Sequence, residues 1–115
     1  MGSVMGKQIT YKTEPRQDYA VVYLTGSVDM SCSPQARKAV LDGLQRYGNL
    51  VVDLSTVEYA DSSAVAVLIE GFQIAQQQGR KFSLVGVGEG AMNMLRLVRL
   101  EQVFPIYATE AEVPR

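Results

Sequence analysis

The chain has 115 residues, 47% of them apolar and 20% charged, with a net charge of −1, one cysteine and no histidine. That length supports one domain with its own core, and the balanced charge gives no basic footprint for nucleic acid and no pull toward an anionic membrane. Without histidine the usual general base, the Ser-His-Asp and Cys-His arrangements and the commonest metal ligand are all missing, so no catalytic site, metal site or cofactor is expected.

In chain order, residues 1–7 read as a disordered lead-in. Gln8–Thr13 alternates apolar and polar residues, as a strand with one wetted face does. Turn chemistry at Pro15–Asp18 leads to a β-rich run, Tyr19–Thr25, that ends at Gly26. The two runs form an antiparallel hairpin. Ser33 followed by Pro34 marks an N-cap with proline at the first helical position. The first helix then runs to Tyr47 with Ala36, Val40, Leu41 and Leu44 inward, and Gly48 stops it. Cys32, which precedes the cap, reads as a small packing residue. As a lone cysteine it fits a reducing compartment and can form no internal disulfide.

Asn49–Asp53 carries the apolar run Leu50-Val51-Val52 and reads as a buried parallel strand at the centre of the sheet. A polar loop is expected after Asp53. A second helix follows from Ser62 to Gln78, with Val65, Leu68, Ile69, Phe72 and Ala75 as its core stripe and Gly79 closing it. Asp61, Ser62 and Ser63 stand where this helix begins. One residue suffices to cap a helix, so three adjacent polar groups leave a spare hydroxyl for modification or recognition.

Phe82–Val87 reads as a further strand. Gly86–Gly90 has neither the dinucleotide fingerprint nor a Gly-Lys-Ser/Thr ending, and is a strand-to-helix turn. A third helix is expected over Ala91–Leu100, with Leu95, Val98 and the methionines on its apolar side and Arg96 and Arg99 solvated. Val103–Tyr107 returns as a short edge strand, where Pro105 is tolerable, and an acidic tail frays after Ala108. The whole is an α/β fold, a mixed sheet of four to five strands with helices mainly on one side. The helix starts follow the carboxyl ends of the strands before them, so Asp29, Ser31, Ser33, Asp61, Ser62 and Ser63 are expected to gather at that edge.

Three stretches make the sequence resemble the STAS family, the sulfate-transporter and anti-sigma-factor-antagonist domains. They are Leu24-Thr25-Gly26-Ser27-Val28-Asp29, Val51-Val52-Asp53-Leu54-Ser55 and Asp61-Ser62-Ser63, with Phe82-Ser83-Leu84-Val85-Gly86-Val87 in addition. The likeness spans residues 8–108, leaving 109–115 as a tail. It implies a cytoplasmic, non-enzymatic regulator of the anti-sigma factor antagonist type. Its partner would be an anti-sigma factor that is also a serine kinase, with a separate serine phosphatase resetting the cycle. The phospho-acceptor would be Ser62, with Ser63 as the second candidate, and Asp29 through Ser33 would share the partner surface. The other function the family implies is a STAS subunit of a lipid-transporting ABC system, docking on the transporter complex without phosphorylation and without membrane insertion. The chain departs from the family at Ala64, where glycine is usual.

Overall fold

The computed structural model describes residues 10–114. The first seven residues, Gln8 and Ile9 of the first expected strand, and Arg115 lie outside the described residues. The elements are β1 (Thr10–Pro15), β2 (Ala20–Val28), α1 (Ser33–Tyr47), β3 (Leu50–Ala60), α2 (Ser62–Gln77), β4 (Phe82–Val85), α3 (Glu89–Leu97), β5 (Ile106–Tyr107) and a final 3-10 turn over Glu110–Glu112. They build one five-stranded sheet in the order β1-β2-β3-β4-β5. β1 and β2 pair antiparallel and the remaining pairs are parallel, so β3 is central and the sheet is mixed, as expected from the hairpin and the two helical crossovers.

The strands' β-branched and leucine residues alternate between two faces. Ala20, Val22, Leu24, Leu50, Val52, Leu54, Phe82 and Leu84 share one core with the buried residues of all three helices. Full burial of each larger side chain is worth about 1.5–3 kcal/mol. The opposite face holds a smaller cluster of Val21, Val51 and Val85, flanked by Tyr19, Tyr23, Tyr107 and Val113. The helices thus cover one side. A layer of tyrosines and the chain's end covers the other. The expected fraying of the tail is replaced by a tether: Arg16 donates from Nε and Nη2 to the Glu110 carboxylate at 2.9 and 3.3 Å, and the Tyr19 hydroxyl donates to it at 2.6 Å.

Several boundaries differ from those read in the sequence. β2 does not stop at Gly26 but runs on to Val28, and β3 does not yield to a polar loop after Asp53 but continues to Ala60. The register against β2 shifts between Tyr23 and Thr25 and again between Gly26 and Ser27, with one extra β3 residue taken up at each shift. These bulges break the two-residue period. Leu54 stays buried and Val57 and Ala60 pack on the core, while Ser55, Thr56 and Glu58 remain in water. α1 begins at Ser33, so Cys32 and not Ser33 holds the cap position. No side chain caps it, and the Asp29 carbonyl takes the Cys32 and Ser33 N–H groups at 3.1 and 2.8 Å. Cys32 is buried, its thiol donating to the Ser27 carbonyl at 2.7 Å. α3 starts at Glu89, two residues early, and ends at Leu97, because Arg99 takes φ +61° and Leu100 N–H turns back to the Leu95 carbonyl. Val98 is consequently 45% exposed instead of inward. β4 ends at Val85, where Gly86 turns with φ +66°. β5 is reduced to Ile106–Tyr107, since Val103 and Phe104 spend their N–H groups on the Leu100 carbonyl.

Candidate functional site

The site is assembled by the pairing of the two longest strands. Val28 of β2 bridges Ala60 of β3, and beyond that bridge the Asp61 N–H donates to the Val28 carbonyl at 3.2 Å. The chain therefore leaves the sheet at neighbouring points, once into α1 and once into α2. Each exit carries an Asp-x-Ser unit with the same local geometry. Asp29 Oδ1 accepts from the Ser31 N–H at 2.9 Å and the Ser31 hydroxyl at 2.7 Å. Asp61 Oδ1 accepts from the Ser63 N–H at 2.8 Å and the Ser63 hydroxyl at 2.5 Å, and from the Ala64 N–H at 3.3 Å. A third copy lies inside β3, where Asp53 Oδ1 takes the Ser55 N–H at 2.8 Å and its hydroxyl at 2.6 Å.

The differences between the copies matter more than the likeness. Only Asp61 sits in extended backbone at a helix start and caps it. The residue between Asp and Ser is Met30 in the Asp29 unit, Leu54 in the Asp53 unit and Ser62 in the Asp61 unit. Ser62 is exposed, and its hydroxyl has no hydrogen-bond partner among the described residues. Ser63, half-buried, has its hydroxyl held by the cap. The redundancy of polar groups visible in the sequence is thus resolved by geometry: Asp61 and Ser63 form the cap, and Ser62 is spare.

Both carboxylates are held ionised. Asp61 lies below its ordinary value, chiefly because the Ser63 hydroxyl donates to it, helped by the Ser63, Ala64 and Met30 N–H groups. Asp29 is lowered by the Ser31 hydroxyl first and the Ser31 N–H second, with Cys32 adding to both. The Asp61 N–H bond to the Val28 carbonyl joins the two exits. Of the expected residues, Asp29, Ser31, Asp61, Ser62 and Ser63 all stand at this carboxyl edge, Ser31 exposed. Ser33 begins α1 half-buried beside them, without the capping bond expected of its side chain. Sequence reasoning did not single out Met30 and Tyr59, which stand exposed on the same edge. Their only signal was an apolar residue at a position the strand and helix periods leave unassigned.

An open mixed sheet with three helices on one face, and its polar exits side by side at the carboxyl edge, defines a small α/β domain of one-sided construction. The family model described as "Mlab, STAS domain" matches residues 13–106, and the chain belongs to the STAS domain family. Among curated proteins it is similar to the anti-sigma F factor antagonist of Paenibacillus polymyxa, 24% identical over 99 residues, covering 84% of this chain and 85% of that protein. It is similar also to the anti-sigma-B factor antagonist of Listeria monocytogenes, 22% identical over 97 residues with the same coverage. A crystal structure of an anti-sigma factor antagonist from Mycobacterium paratuberculosis superposes with a TM-score of 0.82 at 27% identity, over 90% of this chain and 89% of that one.

Proposed function

We propose that this chain is a cytoplasmic regulatory binding protein of the anti-sigma factor antagonist kind, switched by phosphorylation of Ser62. It captures an anti-sigma factor that is itself the serine kinase, and a separate phosphatase returns it to the binding form. The observation that carries this reading is the exposed Ser62 hydroxyl, without a hydrogen-bond partner among the described residues, next to a cap that Asp61 and Ser63 complete without it. The relatives named above, all anti-sigma factor antagonists, support the class of partner.

The chemistry of such a switch needs nothing from this chain beyond an accessible hydroxyl in a tolerant place. A phosphoserine brings about −1.5 to −2 charge. At a helix start it gains about 0.3–1 kcal/mol from the exposed N–H groups and the macrodipole, while the ionised Asp61 and Asp29 nearby repel it. The fold therefore absorbs the phosphate and the surface changes. Moving a complex from almost fully bound to almost fully free takes about 5.5 kcal/mol of differential binding. Loss of a hydrogen-bonded hydroxyl and burial of an unpaired dianion at an interface are of that order together.

A second reading is favoured by Ala64. This residue is 6% exposed in the first turn of α2, where the family usually has glycine. Alanine denies the first turn the close backbone approach that glycine permits, which suits a STAS subunit docking on a lipid-transporting ABC complex without phosphorylation. The test is recovery of the partner from the native cell, followed by phosphate transfer to the parent, Ser62→Ala and Ser63→Ala chains. Label on the parent and Ser63→Ala but not on Ser62→Ala is expected. An unlabelled parent chain recovered with transporter subunits overturns the first reading in favour of the second.

A further inference from the structure

Charge is divided along the strand axis. The segments crossing the carboxyl edge, residues 28–33, 58–63 and 86–90, contain Asp29, Glu58, Asp61 and Glu89 and no Lys or Arg. At the opposite edge, residues 15–19, 46–49 and 78–81 contain Arg16, Arg46, Arg80 and Lys81 and the acid Asp18, with Arg16 paired to Glu14 and Glu110 and the other three cations outnumbering the acid. A net charge of −1 conceals this separation. Within the acidic edge two large apolar side chains stand in water, Met30 at 76% and Tyr59 at 56% exposure. Met30 directly follows Asp29 at the exit into α1. Tyr59 directly precedes Ala60, the residue bridged to Val28. A single exposed apolar residue is ordinary. Two of them flanking the exits that carry Asp29, Asp61 and Ser62, inside a rim of one sign, have the make-up of an interface centre: adaptable or aromatic anchors with charges around them.

We infer that this edge docks a protein partner whose facing surface is basic at its rim and offers apolar pockets to Met30 and Tyr59, the two anchors of the complex. The inference rests on the regulatory reading above and names the chemistry of its partner. Charge complementarity selects that occupant. A second copy would set one acidic edge against another, and nucleic acid or an anionic lipid surface would be repelled.

The same charge pattern fixes where a phosphate on Ser62 acts. At long range it adds to the attraction for a basic face, so encounter is not slowed. Its effect falls at contact, where a dianion replaces a hydroxyl beside Asp61, and so appears in dissociation.

The experiment measures association and dissociation rates against the serine kinase that labels Ser62. It uses the parent, Met30→Ser, Tyr59→Ser, Ser62→Asp and Leu97→Ser chains, each checked for folding by its melting curve. Leu97 is 77% exposed at the far end of α3 and serves as the control. Met30→Ser and Tyr59→Ser are each expected to speed dissociation by about tenfold or more, with Leu97→Ser at the parent rate. Association should slow several-fold from low to physiological salt. Ser62→Asp should speed dissociation and leave association at or above the parent rate. Parent-like dissociation of both anchor variants, from a kinase that still labels Ser62, overturns the anchors and leaves the regulatory reading standing. Salt-independent association overturns the basic partner in the same way. Absence of both complex and label overturns the regulatory reading and this inference with it.

Discussion

The Ser63 hydroxyl donates to the Asp61 carboxylate at 2.5 Å, alongside the Ser63 N–H at 2.8 Å, so Ser63 spends both its groups on the cap. Hydrogen bonds to an ionised acceptor are the strong ones. Ser62, one residue earlier in the same turn, spends none on the described residues. Two adjacent serines therefore have separable roles, and substitution should separate them. Ser63→Ala should cost about 0.5–1.5 kcal/mol of stability and still take up phosphate. Ser62→Ala should leave the unfolding midpoint unchanged and abolish uptake. Denaturant curves and a phosphate-transfer assay on both chains check the division. Label persisting on Ser62→Ala would reverse it.

Ser62→Asp sets a carboxylate in the first turn of α2, where the helix N-terminus favours negative charge and Asp61 opposes it. The two effects are of similar size, so stability should move by no more than about 1 kcal/mol. Partner binding should weaken. A melting curve beside a binding titration reads both, and a large loss of stability would show that the site does not tolerate charge.

Acid titration should reveal the cap. Asp61 has a folded-state value below its ordinary 3.8, the Ser63 hydroxyl being the first cause. A carboxylate lowered by folding contributes stability that is fully present above the unfolded value and is lost as pH falls through the folded one. The parent should therefore lose stability progressively below about pH 4. Asp61→Asn keeps a good cap residue but no titratable group. Its denaturant midpoint should fall less steeply over the same window, the remaining slope coming from Asp29 and the other lowered carboxylates. Equal slopes in the two chains would remove Asp61 from the account.

Much of this architecture was legible because it depends on period. The apolar run at Leu50-Val51-Val52 and the stripe from Val65 to Ala75 placed the central strand and α2, and the hydroxyls at the α2 start pointed to the candidate site. The misread parts are those where period fails. Two bulges turned the second half of β3 into a sequence without alternation, so Ser55–Ala60 looked like a loop. Ser33-Pro34 carried a capping signature that the Asp29 carbonyl made unnecessary. The tail's attachment depends on Arg16 and Glu110, 94 residues apart, and no local pattern encodes such a pairing.

Ala64 invites the reverse of the family departure. Its methyl group is buried in the first turn of α2, so Ala64→Gly should cost about 1 kcal/mol from helix propensity alone, and somewhat more from lost packing. The same change should raise the rate of phosphate transfer to Ser62, because glycine frees the backbone of the first turn for closer approach by a kinase. Single-turnover labelling of the two chains measures this. A slower rate in the glycine variant would show that the methyl group does not limit access.

Two glycines in helices should respond to alanine with opposite signs. A Cβ on Gly71 of α2 would lie 2.7 Å from Val40 Cγ1 of α1 and 2.9 Å from Phe82 Cε2 of β4. Neither neighbour yields easily. Val40 is fully buried, and Phe82 packs against Phe72 and Phe104 with ring centroids 6.2 and 6.3 Å away. Overpacking of this kind costs about 1–3 kcal/mol, against about 1 kcal/mol gained when alanine replaces glycine in a helix. Gly71→Ala should therefore destabilise by up to about 2 kcal/mol on that difference. Gly90 stands in the first turn of α3 with nothing within 4 Å of its added Cβ, so only the propensity gain remains. Gly90→Ala should stabilise by up to about 1 kcal/mol. Denaturant midpoints of the two variants test the contrast directly. A stabilised Gly71→Ala would mean that the α1–α2 crossing over β4 is looser than its contacts, and that close approach is not the reason glycine occupies the position.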